Sequence, residues 1–200
     1  MWVSEVRLGV AERKGRDRAE RERRIIAAAQ AIAESEGWNA VTIRRLAEEI
    51  EHSQPVLYSH FENRDAIVTA VAVEGFRDLA STLRQAAKGA TSRQTARLNV
   101  ASAYLAFARE HLALYEAMFT LPTGLRFAEA GTAPELRDAF AALAAVIDAA
   151  PDAAELVVET FWATLHGLAQ LEHAGRIRES TRDARIRLVV LALGECSADL

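Results

Sequence analysis

Apolar residues recur along most of the chain at intervals of three and four, the repeat of a helix with one buried face. No stretch sustains the period-two alternation of a half-buried strand. Ile25, Ile26, Ala29, Ile32 and Ala33 mark a first helix that ends near Gly37, a residue suited to a left-handed C-terminus. Trp38 follows, and Val41 is expected to pack back on the core. Thr42 is a favourable N-cap for a second helix whose buried face carries Ile43, Leu46, Ala47 and Ile50. Ser53 suits the N-cap of a third, with Pro55 in the first turn, where a missing N–H costs nothing. Asn63 caps a fourth helix running through Ile67, Val71 and Phe76 to about Ala87. Beyond a break at 88–92, helices are expected at about 93–111, at about 112–119, and from Pro134 to Ala150, where Pro151 stops the helix. Between these lies an irregular connection over 121–132. Asp152 is expected to cap a long apolar helix to about His173, and Thr181 to start a last one to about Leu193. The prediction is an all-α protein of about nine helices: a three-helix helix-turn-helix at the N-terminus and a larger helical remainder.

Composition supports this. Half of the 200 residues are apolar, enough for a sizeable core, and only four are proline and ten glycine. The single cysteine, Cys196, excludes an internal disulfide framework and suits a reducing cytoplasm. No apolar run has the length of a membrane span, and the charged N-terminus lacks a signal peptide's apolar core. The net charge of −4 is not that of a generally basic nucleic-acid binder, but the distribution is uneven. Arg13 to Arg24 holds seven bases and three acids. A solvated, mixed-charge helix start and a phosphate-contacting arm are both compatible with that. Residues 1–18 lack apolar periodicity and are expected as a flexible basic arm, followed by a DNA-binding unit over 19–66 and a second unit over 67–200.

The chemistry concentrates in Val41 to Asp65. Leu57 and Phe61 lie four apart and share a face that packs on the first two helices. Gln54, Val56 and Tyr58 fall elsewhere near the helix start, where a recognition helix meets bases and phosphates. A glutamine amide pairs bidentately with adenine, and a tyrosine hydroxyl reaches phosphate. Thr42 opens a helix N-terminus that favours an anion, and Arg44, Arg45 and Arg64 supply positive charge. The alternative is a three-helix core with no nucleic-acid role, in which His60 is a half-buried core histidine.

The strings T-I-R-R-L-A-E-E, S-Q-P-V-L-Y-S-H-F and N-R-D-A-I over Thr42 to Ile67 resemble the DNA-binding half of TetR-family (TetR/AcrR-like) transcriptional regulators. With the first helix the resemblance covers about 45 residues, and Leu57 to Phe61 is its most specific part. It implies that Thr42, Arg44, Gln54, Pro55, Tyr58 and His60 face DNA. With Arg45, Ser53 and Arg64 these form the candidate interface; Arg64 stands where the family usually has a phosphate-binding lysine. Two positions depart from the pattern. Glu51 occupies the turn where the family usually has glycine, and His52 replaces a small apolar residue. A left-handed residue other than glycine costs roughly 1 kcal/mol.

The remainder, by the same resemblance, is an effector-binding and dimerising half. Tyr104, Phe107, Met118, Phe119, Phe127 and Trp162 flank the irregular 121–132 connection and are the candidate cavity lining, with core packing as the alternative for each. Trp162, His166 and Gly167 form a Trp-x-x-x-His-Gly string similar to a C-terminal signature of one branch of the family. His166 could bond an effector, or Gly167 could let a helix cross closely. His166 and His173 are two turns apart, too far to chelate one metal unaided, so no metal or cofactor is expected. Leu156, Thr160, Ala163, Thr164, Leu168 and Leu171, with Ile186, Val189, Val190 and Leu193, could form a four-helix dimer interface or bury within one chain.

The expected function is a homodimeric regulator of a pseudo-palindromic double-stranded DNA operator, a repressor released by a small-molecule effector. An activator, or a regulator acting by protein contact, is the alternative. An enzyme is the remote one, since no G-x-S-x-G, phosphate loop or H-E-x-x-H is present.

Overall fold

A computed structural model describes residues 9–127, 129 and 131–199; the side chains of 10, 11 and 194–199, Cys196 among them, and the first eight residues of the expected arm lie outside that description. Nine α-helices occur among the described residues, with no strand. They are α1 (Val10–Glu36), α2 (Ile43–Glu49), α3 (Gln54–Tyr58), α4 (Arg64–Ala87), α5 (Arg93–Glu110), α6 (Leu112–Phe119), α7 (Pro134–Ala144), α8 (Ala154–His173) and α9 (Arg182–Asp199).

α1 starts earlier than its apolar repeat suggests. Residues 10–18, expected as an arm, are helical because strong helix formers there add i,i+4 pairs such as Arg18–Glu22, and Glu12 turns back onto the Gly9 N–H at 2.9 Å. Thr42 and Asn63 cap as expected, accepting the N–H of Arg45 and Ala66. Ser53 occupies the N-cap position of α3 but makes no side-chain cap bond. Asp152 does not cap α8, whose N-cap is Ala153. α7 stops at Ala144 because two arginines of α5 take the carbonyls beyond it. Arg93 Nη1 donates to the Ala145 oxygen at 2.6 Å, and Arg97 Nε donates to the Val146 oxygen at 3.0 Å.

α4 is the central pillar. Its buried face of Ile67, Val71, Phe76, Leu79 and Leu83 packs on α1, α5, α6 and α7 in one continuous core. The closest approach is to α6 at Gly75, where a Cβ would come within 2.7 Å of Met118 Sδ and 2.8 Å of Leu114 Cδ1. Gly167, expected at such a crossing, has nothing within 4 Å of that position. α8 and α9 lie side by side on the other flank. Glu172 on α8 pairs with Arg182 at 2.6 Å and with Arg185, fixing the start of α9 against the end of α8. Burial raises the Glu172 carboxyl, but hydrogen bonds from the two guanidinium groups outweigh it and hold the group below the usual carboxylate range.

Candidate nucleic-acid interface and ligand cavity

The turn between α2 and α3 is held by backbone bonds from Ile50, Glu51 and His52 back to α2. Glu51 adopts φ 55°, the one left-handed non-glycine among the described residues. The turn therefore keeps the geometry for which the family uses glycine, and Glu51 carries the strain. α3 then presents Ser53, Gln54, Pro55 and Tyr58 to solvent, with Leu57 buried beneath them. Tyr58 is 54% exposed, so its ring and hydroxyl are open to solvent. Thr42, Arg44 and Arg45 are exposed at the start of α2. Arg44 lies along Glu48 at 2.9 Å, and Arg45 reaches Glu36 at 3.2 Å. Exposed pairs of this kind are weak and exchange readily for phosphate.

Two candidates are tied into the fold. The His60 side chain is only 2% exposed and its Nδ1 lies 3.3 Å from Glu22 Oε1, so it joins α3 to α1 rather than facing DNA. Arg64 spends its fork on backbone: Nε donates to the Val41 oxygen at 2.8 Å and Nη2 to the Trp38 oxygen at 2.7 Å. A planar fork can satisfy two carbonyls at once, which explains why arginine suits a site that staples α4 to the chain before α2.

Behind this headpiece the chain builds a joint that the sequence did not disclose. The Glu34 carboxylate of α1 accepts the N–H groups of Ala113 and Leu114, each at 3.1 Å, at the start of α6. Trp38 Nε1 donates to the Ala113 oxygen at 2.8 Å. An acid at a helix N-terminus meets both unbonded N–H groups and the positive end of the dipole. A cleft of about 400 Å³ lined by Glu34, Tyr115 and Gln170 adjoins the joint.

α6 leads from the joint into an aromatic cavity. The inner void is about 40 Å³, lined by Phe76, Tyr104, Phe119, Phe127, Phe140 and Trp162. An outer cleft of about 480 Å³ shares Phe127, Phe140 and Trp162. Four of the expected lining residues, Tyr104, Phe119, Phe127 and Trp162, therefore meet. Phe107 and Met118 do not line it: Phe107 is buried against His111, and Met118 fills the space over Gly75. Phe76 and Phe140 were missed, since a phenylalanine on the apolar face of a helix reads as core.

A hydrogen-bonded relay crosses the cavity wall. Trp162 Nε1 lies 3.2 Å from Tyr104 Oη, which lies 2.9 Å from Tyr115 Oη, itself 2.7 Å from His166 Nδ1. The indole can only donate. Tyr104 accepts that bond and still has a lone pair and its own O–H for the link to Tyr115, whose oxygen bonds Nδ1 as donor or acceptor according to the imidazole tautomer. Burial pushes Tyr104 up to about 12 and Tyr115 further upward, and lowers His166, so all three are neutral near pH 7. Trp162 and His166, one turn apart on α8, are joined through two tyrosines from α5 and α6.

The expected dimer face divides. Leu156, Thr160, Ala163 and Leu171 on α8 are exposed, and Thr164 and Leu168 are half-buried. On α9, Ile186, Val190 and Leu193 are buried in the protomer's own core and Val189 is half-buried; the exposed leucines are Leu188 and Leu191, at 68% and 52%. One helix cannot bury every apolar residue on a single side, and the face nearer α5 and α8 belongs to the fold. Among the described residues no group of three or more His, Cys, Asp or Glu could hold a metal, and no helix is long and apolar enough to cross a membrane.

Comparison with known proteins agrees with this geometry. Residues 25–71 match the family model described as bacterial regulatory proteins, tetR family, and residues 98–193 match that of the tetracyclin repressor-like C-terminal domain. The chain is 30% identical over 176 residues, 84% of its length and 78% of the other's, to an uncharacterized HTH-type transcriptional regulator of Mycobacterium tuberculosis. A similar regulator of Bacillus subtilis is 37% identical over 95 residues, 46% of this chain and 48% of that protein. Among solved structures, a Rhodococcus protein of unknown function superimposes with a TM-score of 0.70 at 24% identity, covering 88% of this chain and 94% of that one. A TetR variant from Acinetobacter baumannii in complex with minocycline does so with a TM-score of 0.63 at 18% identity, covering 86% and 96%. With family models matching both its headpiece and its helical body, and a regulator of M. tuberculosis related over most of its length, the chain belongs to the TetR family of DNA-binding transcriptional regulators.

Proposed function

We propose that the chain is a homodimeric repressor that leaves a pseudo-palindromic operator when a small molecule occupies the aromatic cavity. The observation that carries this reading is mechanical continuity. Phe119 of the cavity wall and Tyr115, bonded to Tyr104 behind that wall, stand on α6, and the first turn of the same helix is gripped by Glu34 and Trp38 of the headpiece. A ligand that moves α6 moves α1 with it. Residues 19–66 act as the reader and residues 67–200 as the sensor. Thr42, Arg44, Arg45, Ser53, Gln54, Pro55 and Tyr58 contact DNA, with Gln54 at base edges and the rest mainly at phosphates.

The dimer forms through α8 and α9. Leu156, Leu171, Leu188 and Leu191 are exposed there, and a groove of about 360 Å³ between the two helices is lined by Leu156, Thr160, Thr164 and Val189. Two copies would bury these as a four-helix bundle and set two recognition helices one DNA turn apart, ~34 Å. A switch from mostly bound to mostly free requires the effector to prefer the released shape by roughly 5 kcal/mol. The A. baumannii protein is in complex with the small molecule minocycline, which supports a sensor role.

The test is fluorescence anisotropy on DNA from upstream of the chain's own gene, against random DNA of equal length, over a series of salt concentrations. Preferential binding that weakens steeply with salt, and that is lost on Gln54→Ala with Tyr58→Ala, is expected. A folded dimer that does not distinguish the two DNAs refutes the reading.

A further inference from the structure

The outer cleft carries a charge pattern that an apolar interior does not need. Trp162 and Phe127 stack across its inner wall, ring centroids 6.1 Å apart at 25°. Phe127 is 39% exposed and lines both the inner void and the cleft, with its ring edge-on to Phe76. Along α8, Glu155, Glu159 and Trp162 recur at i, i+4 and i+7, which sets two carboxylates about one and two turns from the indole on one face. Both glutamates are exposed, and among the described residues neither is in an ion pair. A third carboxylate on the rim, Glu129, is held by Arg126 at 3.1 Å, and Arg137 is the one cation among the lining residues.

We propose that this cleft takes a planar aromatic cation, which replaces the Phe127 ring on the Trp162 indole and sets its positive charge beside Glu155 and Glu159. The proposal rests on the ligand-responsive reading above and names the chemistry of that ligand. Ring faces carry negative quadrupole density and attract a cation, most strongly at an indole. A neutral ring gains the stacking but nothing from the two acids. An anion meets both acids and has only Arg137 to offset them. The cleft, at about 480 Å³, admits a molecule of three or four fused rings, and displacing Phe127 adds the inner void.

Three fluorescent tricyclic probes of similar shape separate these cases: cationic proflavine, neutral acridone and anionic 9-anthracenecarboxylate, each titrated with the full-length protein at neutral pH and read by anisotropy. Proflavine is expected to bind about tenfold tighter than acridone, with the anion weakest. The double variant Glu155→Gln, Glu159→Gln changes two exposed side chains and keeps their shape. It should bring proflavine to about the affinity of acridone and leave acridone unchanged. Trp162→Phe should weaken all three. Equal or tighter binding of acridone or the anion, or a double variant that binds proflavine as wild type does, overturns the cation assignment while leaving a ligand cavity in place. Binding of none of the three overturns it as well, and the DNA titration without ligand then reports separately on the regulator.

Discussion

Replacing Glu34 by alanine tests the joint between the helix-turn-helix headpiece and the helical body. The substitution removes both acceptors at the start of α6, where Oε1 and Oε2 each take one N–H at 3.1 Å. Buried hydrogen bonds to charged groups are worth about 1.5–3 kcal/mol each. The Glu34 side chain is exposed, however, so the loss should approach that of a helix N-cap, about 1–2 kcal/mol in all. For a chain of this size that lowers the melting temperature by roughly 2–8 °C. Trp38 still holds the Ala113 oxygen at 2.8 Å, so the joint loosens without separating. Glu34→Gln keeps one oxygen and the shape, and should lose about half as much. Because Glu34 and Trp38 grip the same residue, the double variant with Trp38→Phe should depart from additivity. Thermal melts give the stability, and anisotropy with and without effector gives the coupling, which should fall in Glu34→Ala. An alanine variant that melts within about 1 °C of wild type and releases DNA normally would refute the claim that this carboxylate holds α6 to the headpiece.

Glu51→Gly should raise stability by about 1 kcal/mol, because φ 55° is strained for glutamate and free for glycine, and should strengthen DNA binding at low salt by removing an acid beside the interface; melts and a salt series check both parts. Gly75→Ala drives a methyl group into Met118 and Leu114 and should cost about 1–3 kcal/mol, measured by denaturant titration; an unchanged midpoint would mean that α4 and α6 are not tightly apposed. Burial lowers His166, so the folded state holds it neutral and the unfolded chain takes up a proton first as pH falls through about 6.5. Its stabilisation is present above that value and is lost on acidification through the lower folded value. The fall in melting temperature between about pH 7.5 and 5.5 should therefore be smaller in His166→Asn, which keeps an acceptor for Tyr115 and does not titrate.

The headpiece was legible because its signals are local. Caps at Thr42 and Asn63, Pro55 in a first turn and the Leu57–Phe61 pair each act within one helical turn. Locality did not disclose the partners of His60 and Arg64, whose residue types suit DNA and whose side chains meet Glu22 and the carbonyls of Trp38 and Val41, 23 to 38 residues away. Ser53 and Asp152 show the converse: Ser53 stands at the N-cap of α3 without a side-chain cap bond, and the N-cap of α8 falls one residue past Asp152, at Ala153.

The sequence by itself determined the all-helical class, the break between α2 and α3 and the solvent-facing first turn of α3, since helix periodicity and capping depend on neighbours in the chain. Only the tertiary structure decided which aromatic rings share a cavity, that Tyr104 and Tyr115 join Trp162 to His166, that Glu34 closes the start of α6, and which side of α9 remains exposed. Those contacts link residues tens of positions apart. A side chain's type limits what it can bond, but its partner is chosen by how the helices cross.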